Sequence, residues 1–199
     1  MIGAMGTTPS RRRGRPRDAR ADEAILAAAA AVLAELGPAG FTVDAVAARA
    51  GCGKATIYRR WPSRAHLMLE TTQQAGVVHV DPDTGSVDED LVVLLMTLAE
   101  KMTTTPVGRL MAATIAEAAV NDETRQVYAE FVAERRVVPR QVVQRGIDRG
   151  ELRADADPEL VVDIVSGPVF LRAFMTQGPL DEDVIRRIVT TVLDGVRTR

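Results

Sequence analysis

The stretch "FTVDAVAARAGCGKATIYRRWPSRAHL", residues 41–67, contains two short helical patterns separated by a glycine-rich turn. Thr42 is a good N-cap for a first helix over residues 43–50, because its hydroxyl can accept a hydrogen bond from an amide of the first turn. The glycines of residues 51–53 interrupt the pattern, and a second helix is predicted over residues 54–60. Two short helices joined by a tight turn form a helix-turn-helix, which is typical of DNA-binding proteins.

The second helix has one apolar and one polar face. Ile57 and Trp61 lie four residues apart and are predicted to be buried together. The residues of the opposite face are predicted to point outward: Lys54, Ala55, Tyr58 and Arg59. A cation, a small residue, a phenol and an arginine suit the floor of a DNA major groove, where arginine can pair with guanine. The alternative is a solvated helix end with cations near its negative dipole, which suffices for Arg60 alone.

These residues resemble the DNA-binding domain of TetR/AcrR-type bacterial transcriptional regulators over about residues 18–70. The similarity lies in the Phe-Thr pair, the Ala-Gly turn, "ATIY" and the Ser-Arg pair that follows Pro62. The resemblance implies that the outward residues of the second helix read the major groove and that Ile57 and Trp61 anchor that helix. It implies phosphate contacts for Thr42, Thr56, Arg60 and Arg64.

Two residues of the turn depart from the family pattern. Cys52 stands where an aliphatic residue is common, and Gly53 stands where Ser or Thr is common. We interpret Cys52 as a small buried hydrophobe, with redox sensing as the alternative, since the chain has no second thiol. Gly53 can cap the second helix but offers no hydroxyl to a phosphate.

Upstream of the motif, the sequence is strongly basic. Apolar residues at helical spacing predict a helix over residues 18–36, which Gly37-Pro38 stops. Residues 1–17 show no such spacing and are predicted to form a disordered basic arm. Its candidate DNA contacts are Arg11, Arg12, Arg13, Arg15 and Arg17. The "RGRP" within it resembles the AT-hook core, which lies in a minor groove, and the alternatives are a nuclear-localisation-like basic run and a solvated tail.

The rest of the chain is predicted to be helical as well. Predicted helices cover residues 64–78, 87–103 with a Ser86–Glu89 capping box, 106–119, 121–149 with a kink at Pro139, 158–177 with an interruption at Gly167-Pro168, and 182–197. No stretch shows strand alternation bounded by turns. The fold class is therefore all-α with about nine helices, in three parts: the arm 1–17, a DNA-binding domain 18–64 and a ligand-binding and dimerisation domain 65–199.

The third part carries a different charge and a different expected role. Residues 1–64 have a net charge of +6 and residues 65–199 a net charge of -8. This distribution indicates that only the first part meets a polyanion. In the resembled family the acidic domain dimerises through its last two helices and binds a ligand among the middle ones. Two apolar features fit a dimer through residues 158–197, although they fit a monomeric core as well. They are the apolar run within 158–177 and the stripe formed by Val184, Ile188, Val192 and Val196.

The effector pocket is predicted from adaptable apolar side chains. Methionine and phenylalanine provide such walls, and the candidates are Met96, Met102, Met111, Phe131, Phe170, Phe174 and Met175. For each one, ordinary core packing is the alternative. Because aromatic residues are few and no basic cluster is evident, we expect an apolar or mixed small molecule.

Several classes of protein are disfavoured. The single cysteine and the two histidines, His66 and His79, predict no metal site and no disulfide, which fits a cytoplasmic protein. No apolar run has the roughly 20 residues of a membrane span. The "GCGKAT" at 51–56 lacks a phosphate loop's first glycine and its Ser or Thr after lysine, and no catalytic constellation or cofactor motif is present.

The sequence thus predicts a homodimeric, ligand-responsive transcriptional regulator, most simply a repressor that binds a palindromic operator on double-stranded DNA and is released by a small molecule. The first alternative is a non-specific architectural DNA-binding protein, against which the acidic domain argues. The second is a small helical enzyme tethered by a basic module, for which no catalytic residues are found.

Overall fold

The computed structural model describes residues 16–76 and 80–198, and these form ten α-helices and one π-helical turn. The helices are α1 (Pro16–Gly40), α2 (Val43–Ala50), α3 (Lys54–Tyr58), α4 (Arg64–Gly76), α5 (Val87–Thr104), α6 (Pro106–Ala118), α7 (Asp122–Arg135), α8 (Val137–Asp148), α9 (Pro158–Leu171) and α10 (Glu182–Leu193), with the π-helical turn at Arg172–Thr176. The described residues contain one isolated antiparallel bridge, Leu152 with Arg197, and no strand. The prediction of an all-α protein is confirmed.

The predicted helix over 121–149 is wrong, because two helices, α7 and α8, meet at Arg136. Pro139 lies in the first turn of α8 and does not kink a longer helix. The amides of a first turn have no helical acceptor, so a proline costs little there. This split accounts for ten helices where nine are expected from the sequence.

Two further local predictions are corrected. Ser86 makes no side-chain cap, and Glu89 binds Arg186 of α10 instead of the backbone, so the capping box does not form. The Val87 amide donates to the Glu151 carboxylate at 2.9 Å, which replaces that cap. Helix α9 continues through Pro168, whose φ fits a helix although it lacks an amide hydrogen, and the irregular turn comes later, at residues 172–176.

Gly37 interrupts α1, as the sequence predicts, but the helix does not end there. Gly37 has a φ of +66°, a left-handed conformation that favours glycine, and one further helical turn runs to Gly40 before Phe41. The bend turns the chain so that Phe41, which is fully buried, enters the core beneath α2.

Three apolar clusters hold the described chain together. The N-terminal core joins α1–α4, with Phe41 and Ile57 at its centre, and includes Leu110 from α6. The C-terminal core joins α5, α8, α9 and α10 and includes Leu91 and Ile185, both at most 1% exposed. A third and smaller cluster lies between α4, α5, α6 and α7 around Phe131, which is 6% exposed. Helix α6 thus contributes to both the first and the third cluster.

None of the described helices combines the length and the apolar character that a membrane-spanning segment requires.

Candidate nucleic-acid interface and effector cluster

The helix-turn-helix forms as the sequence predicts. The Thr42 hydroxyl accepts a hydrogen bond from the Ala45 amide at 3.1 Å and so caps α2. Gly51 ends α2 with a φ of +64°, and the Cys52 amide donates to the Ala47 carbonyl at 3.1 Å. Gly53 begins α3 in extended conformation and provides no side-chain cap. The turn therefore depends on the left-handed Gly51, which a larger residue adopts only with strain.

Helix α3 has the predicted faces. Ile57 is fully buried and Trp61 is 3% exposed, both within the N-terminal core. The Trp61 indole N–H donates to the Glu70 carboxylate of α4 at 2.6 Å, which holds the C-terminal end of the α3 segment against α4. On the other side, Tyr58 is 48% exposed and Arg59 is exposed.

The exposed face of α3 also contacts an acidic residue that no sequence pattern indicated. The Lys54 ammonium forms an ion pair with Asp44 of α2, and this contact raises the pKa of Lys54 above its usual value. Both side chains are more than half exposed, so the pair contributes little to stability and lysine can exchange its partner. Ala55 is exposed, and Thr56 is half-buried.

Arg60 and Arg64 bind protein groups in this structure. Arg60 is 13% exposed in its side chain and pairs with Asp22 of α1. The Arg64 Nε donates to the Phe41 carbonyl at 2.6 Å, and its guanidinium also pairs with Glu117 of α6. A phosphate contact by either guanidinium would compete with these carboxylates. No sequence pattern indicates the Arg64–Glu117 contact, because the two residues are 53 positions apart.

The basic arm falls almost wholly outside the described residues. This applies to Arg11, Arg12, Arg13 and Arg15, while Arg17 belongs to the first turn of α1 without a described side chain. Their predicted DNA contacts remain predictions.

The predicted effector residues divide into two groups. Five of them meet at the third cluster: Met102, Met111 and Phe131 lie within it, and Phe170 and Phe174 pack against it. Met96 packs instead on the C-terminal core, and Met175 is 77% exposed on the π-helical turn. The structure therefore brings together the candidates on α5, α6, α7, the end of α9 and the start of the π-helical turn, and it leaves Met96 and Met175 outside this cluster.

Three polar residues beside this cluster were absent from the sequence analysis. Lys101 and Arg135 lie in the last turns of α5 and α7, and Tyr128 stacks on Phe131 with ring centroids 6.2 Å apart. Burial is the main cause of the lowered pKa of Lys101, and Arg135 adds to it. Burial also lowers the pKa of Arg135 and raises the pKa of Tyr128. No local pattern could reveal this grouping, since it joins residues of two helices that are far apart in the chain.

An apolar surface runs along α9. Leu160, Ile164 and Leu171 are 55%, 47% and 47% exposed, and Met175 continues their line. Ile164 and Pro168 also line a groove of about 450 Å³ with Val184, Ile188 and Val192 of α10, among other residues.

Within residues 16–76 and 80–198, no three His, Cys, Asp or Glu side chains are arranged to hold a metal ion. Cys52 is half-buried against the N-terminal core.

Comparison with known proteins matches both parts of the chain. Residues 25–71 match the family model for bacterial regulatory proteins of the tetR family, and residues 81–192 match the model for a tetracyclin repressor-like C-terminal domain. These families consist of transcriptional regulators, not enzymes.

Individual relatives are similar over nearly the whole chain. An uncharacterized HTH-type transcriptional regulator of Bacillus subtilis, YdeS, is 32% identical over 94% of this chain and 94% of its own length. The DNA-binding transcriptional repressor TetR of Mycobacteroides abscessus is 32% identical over 91% of this chain and 94% of its own. The crystal structure of the TetR family transcription regulator SCO0332 is 29% identical, covers 90% of this chain and 100% of that one, and superposes with a TM-score of 0.73.

Proposed function

The chain belongs to the TetR family of helix-turn-helix transcriptional regulators, and from this premise we propose that it is a homodimeric repressor that binds a palindromic operator and is released by a small molecule. Repression is favoured because one relative, similar over 94% of its own length, is a DNA-binding transcriptional repressor. Its place of action would be the cytoplasm, where a bacterial regulator meets the chromosome.

The observation that carries this proposal is the exposed face of α3. Ile57 and Trp61 fasten α3 to the core, so Tyr58 and Arg59 face solvent on a rigid support. Together with Lys54 and Ala55 they would read bases in the major groove, while Thr42 and Thr56 would contact phosphates. The arginines of the arm would add contacts in the adjacent minor groove.

Arg60 and Arg64 would assist DNA binding in a second way. Arg60, two residues after the end of α3, binds Asp22 of α1, and Arg64 at the start of α4 binds the Phe41 carbonyl and Glu117. The family resemblance implies that both arginines contact phosphates. These contacts would form when DNA displaces Asp22 from Arg60 and Glu117 from Arg64. Each arginine would thus orient the recognition helix before it touches DNA.

The dimer would form through α9 and α10. The exposed apolar residues of α9 recur at positions 160, 164 and 171, which fall on one helical face, and Met175 of the π-helical turn continues it. Gly167 lies on the same side and an added Cβ there would meet nothing, so a second helix could approach closely. A monomer leaves this face in water, and apolar faces of this kind mark interfaces. A second copy would cover it.

Release by an effector would act through α6. This helix supplies Met111 to the third cluster and Leu110 to the N-terminal core, and its Glu117 pairs with Arg64. A molecule that separates side chains of the third cluster must displace α6 or its neighbours. That displacement would reach Arg64 and change the spacing of the two recognition helices.

The experiment is a map of binding sites on the source genome, followed by footprinting of the strongest site. A repressor with two recognition helices is expected to protect one palindrome with half-sites about 34–36 Å apart centre to centre, or a multiple of that distance. Protection without sequence preference would instead identify an architectural DNA-binding protein. Fluorescence anisotropy of the labelled operator then screens small molecules for release.

A further inference from the structure

The Lys101 ammonium lies beside the third cluster, at the end of α5. Its side chain is half-buried and makes no hydrogen bond or ion pair with any residue that the structure describes. Burial lowers its pKa and the nearby positive charge of Arg135 lowers it further, an effect that the adjacent Glu100 offsets only in part. A charge held out of water in this way favours an anion as its partner.

Arg135 lies in the last turn of α7 and is the more exposed of the two cations. Its guanidinium lies over the ring of Phe131, 4.0 Å from the centroid. The nearest carboxylate, that of the adjacent and mostly exposed Glu134, is 4.0 Å away. The next residue is different, because Arg136 binds both Glu159 and Asp163. Arg135 thus points toward the aromatic cluster, whereas its neighbour points toward acids.

Helix dipoles explain only part of this arrangement. A cation in the last turn of a helix is stabilised by the carbonyl groups there, and this applies separately to Lys101 on α5 and to Arg135 on α7. It does not explain why the two cations lie close enough for one to lower the pKa of the other. Two like charges beside one aromatic cluster, one of them on a half-buried lysine, indicate a ligand of opposite charge.

The third cluster beside these cations is apolar and aromatic. Met102, Met111 and Phe131 are buried within it, and Phe170 and Phe174 are half-buried against it. Phe170 and Phe174 lie with ring centroids 6.0 Å apart across the change from α-helix to π-helix, a widened turn that often marks a functional place. The Tyr128 hydroxyl, with a pKa raised by burial, has no hydrogen bond to a described residue and can donate one to a ligand.

We propose that the effector is an amphipathic monoanion, with an acid group held by Lys101 and Arg135 and an apolar body among Phe131, Phe170, Phe174 and the two methionines. Tyr128 donates a further hydrogen bond to the acid group. The assignment rests on the proposed function, and it narrows the apolar or mixed ligand expected from the sequence to the mixed class with a negative charge. The flexible methionine side chains move apart to admit the body.

The test compares acids with neutral molecules of the same carbon skeleton. Octanoate, hexadecanoate and naphthoate are each titrated into the full-length protein by calorimetry, beside the corresponding alcohols. At least one acid is expected to bind about tenfold or more tightly than its alcohol, as charge-assisted hydrogen bonds to two cations require. If every alcohol binds as well as its acid, or if none of the acids binds, the anionic class is overturned.

Variants locate the binding. Lys101→Met and Arg135→Met are each expected to weaken the preferred acid about tenfold and to leave its alcohol unchanged. Lys101→Arg, which keeps the charge, is expected to restore most of the acid affinity. The matched control is Arg140→Met on α8, whose guanidinium binds Glu159. Equal losses in Arg140→Met and Arg135→Met would overturn the assignment, and melting temperatures confirm that each variant is folded.

Operator binding without any acid is measured in the same preparations. A protein that binds the acid but no operator contradicts the proposed function and leaves the anion site intact. A protein that binds its operator while its charge variants keep full acid affinity contradicts only the anion site.

Discussion

The exposed face of α3 and the exposed face of α9 have opposite chemistry. Tyr58 and Arg59 present a phenol and a cation to solvent, and Lys54 is held only by an exposed carboxylate. On α9, Leu160 and Ile164 present branched aliphatic side chains that are about half exposed. Each face lies on a helix that packs on a buried apolar core, so its exposure does not come from loose packing of the helix.

The difference shows which kind of partner each face can accept. Polar and charged groups are well solvated, so the α3 face is stable alone and gains from a polyanion whose phosphates release counter-ions. Aligned aliphatic groups gain only when they leave water, so the α9 face is satisfied by an apolar surface. A second copy of the same face meets that condition by symmetry.

A charge on the α9 face is expected to have the largest effect. Ile164→Asp would place a carboxylate in the proposed interface and convert the dimer to a monomer, which light scattering after size-exclusion chromatography measures. Operator affinity should fall about 100-fold or more, because the second recognition helix is no longer tethered to the first. Val120→Asp is the control, since Val120 is 86% exposed outside this face. A dimer that survives Ile164→Asp would remove α9 from the interface.

Loss of a cation on the α3 face is expected to have the next largest effect. Arg59→Ala should weaken operator binding by about 1–3 kcal/mol, the discrimination of a good arginine–guanine pair, and should affect random DNA much less. Anisotropy with both DNAs measures the difference. Arg153→Ala removes an exposed arginine of the other domain as the control. Equal losses on operator and random DNA would make Arg59 a phosphate contact.

Removal of residues 1–15 is expected to have a smaller effect. This deletion takes away four arginines and leaves α1 complete. Operator affinity should fall about tenfold at physiological salt, and the salt dependence should decrease by about one unit of slope for each phosphate that the arm no longer neutralises. Dimerisation and effector binding should not change. Unchanged affinity and slope would show that the arm is a solvated tail.

Loss of an exposed ion pair is expected to have the smallest effect, a slight change in the pH dependence of stability. One such pair lies in the N-terminal domain and one in the C-terminal domain. Arg49 lowers the pKa of Glu35 by a hydrogen bond between α1 and α2, and Arg186 does the same for Glu89 between α5 and α10. A carboxyl whose pKa is lower in the folded state stabilises it above the unfolded pKa, near 4.5. This stability is lost as the pH falls through the lower folded value.

Melting temperatures measured from pH 7 to pH 3, in steps of about half a pH unit, check this prediction. Glu35→Gln and Glu89→Gln should each slightly reduce the fall in melting temperature with falling pH, and the double variant should reduce it more. The effect is small because water screens both pairs. A variant that steepens the decline would show that its carboxylate is not stabilised in the folded protein.

The helix-turn-helix could be predicted because its determinants are close in sequence. Thr42 caps the helix that follows it, Gly51 supplies the left-handed turn, and Ile57 and Trp61 are one helical turn apart. Each of these signals acts within about four residues, a range over which backbone geometry alone fixes which groups meet. The predicted helix starts at residues 106 and 121 are local in the same way, because Pro106 begins α6 and Asn121 caps α7.

Local signals failed where a distant residue competed for the same group. Glu89 has the right spacing for a capping box, yet Arg186, which is 97 positions away, binds it. The family resemblance implies that Arg64 contacts phosphates, yet it pairs with Glu117 in this structure. An exposed arginine and an arginine bound to a distant acid have the same sequence pattern, because the pattern does not contain the acid.

The effector cluster shows the same limit. Five of the predicted apolar residues do meet around Phe131, since methionine and phenylalanine on neighbouring helices tend to be buried. The sequence could not separate them from Met96 and Met175, nor could it show Lys101 beside Arg135. These distinctions depend on the rotation of each helix about its axis, which core packing decides.

By itself the sequence determined the helical fold class, the helix-turn-helix with its buried and exposed faces, and the contrast between a basic first part and an acidic second part. All of these follow from residue periodicity, local capping and charge, which act over short distances or as sums. Only the tertiary structure decided that Arg64 joins α4 to α6 and that two cations border the aromatic cluster. It alone decided, too, that one apolar face of α9 stays exposed. The physical reason is that these contacts join helices far apart in the chain, and their approach is set by side-chain packing throughout the core.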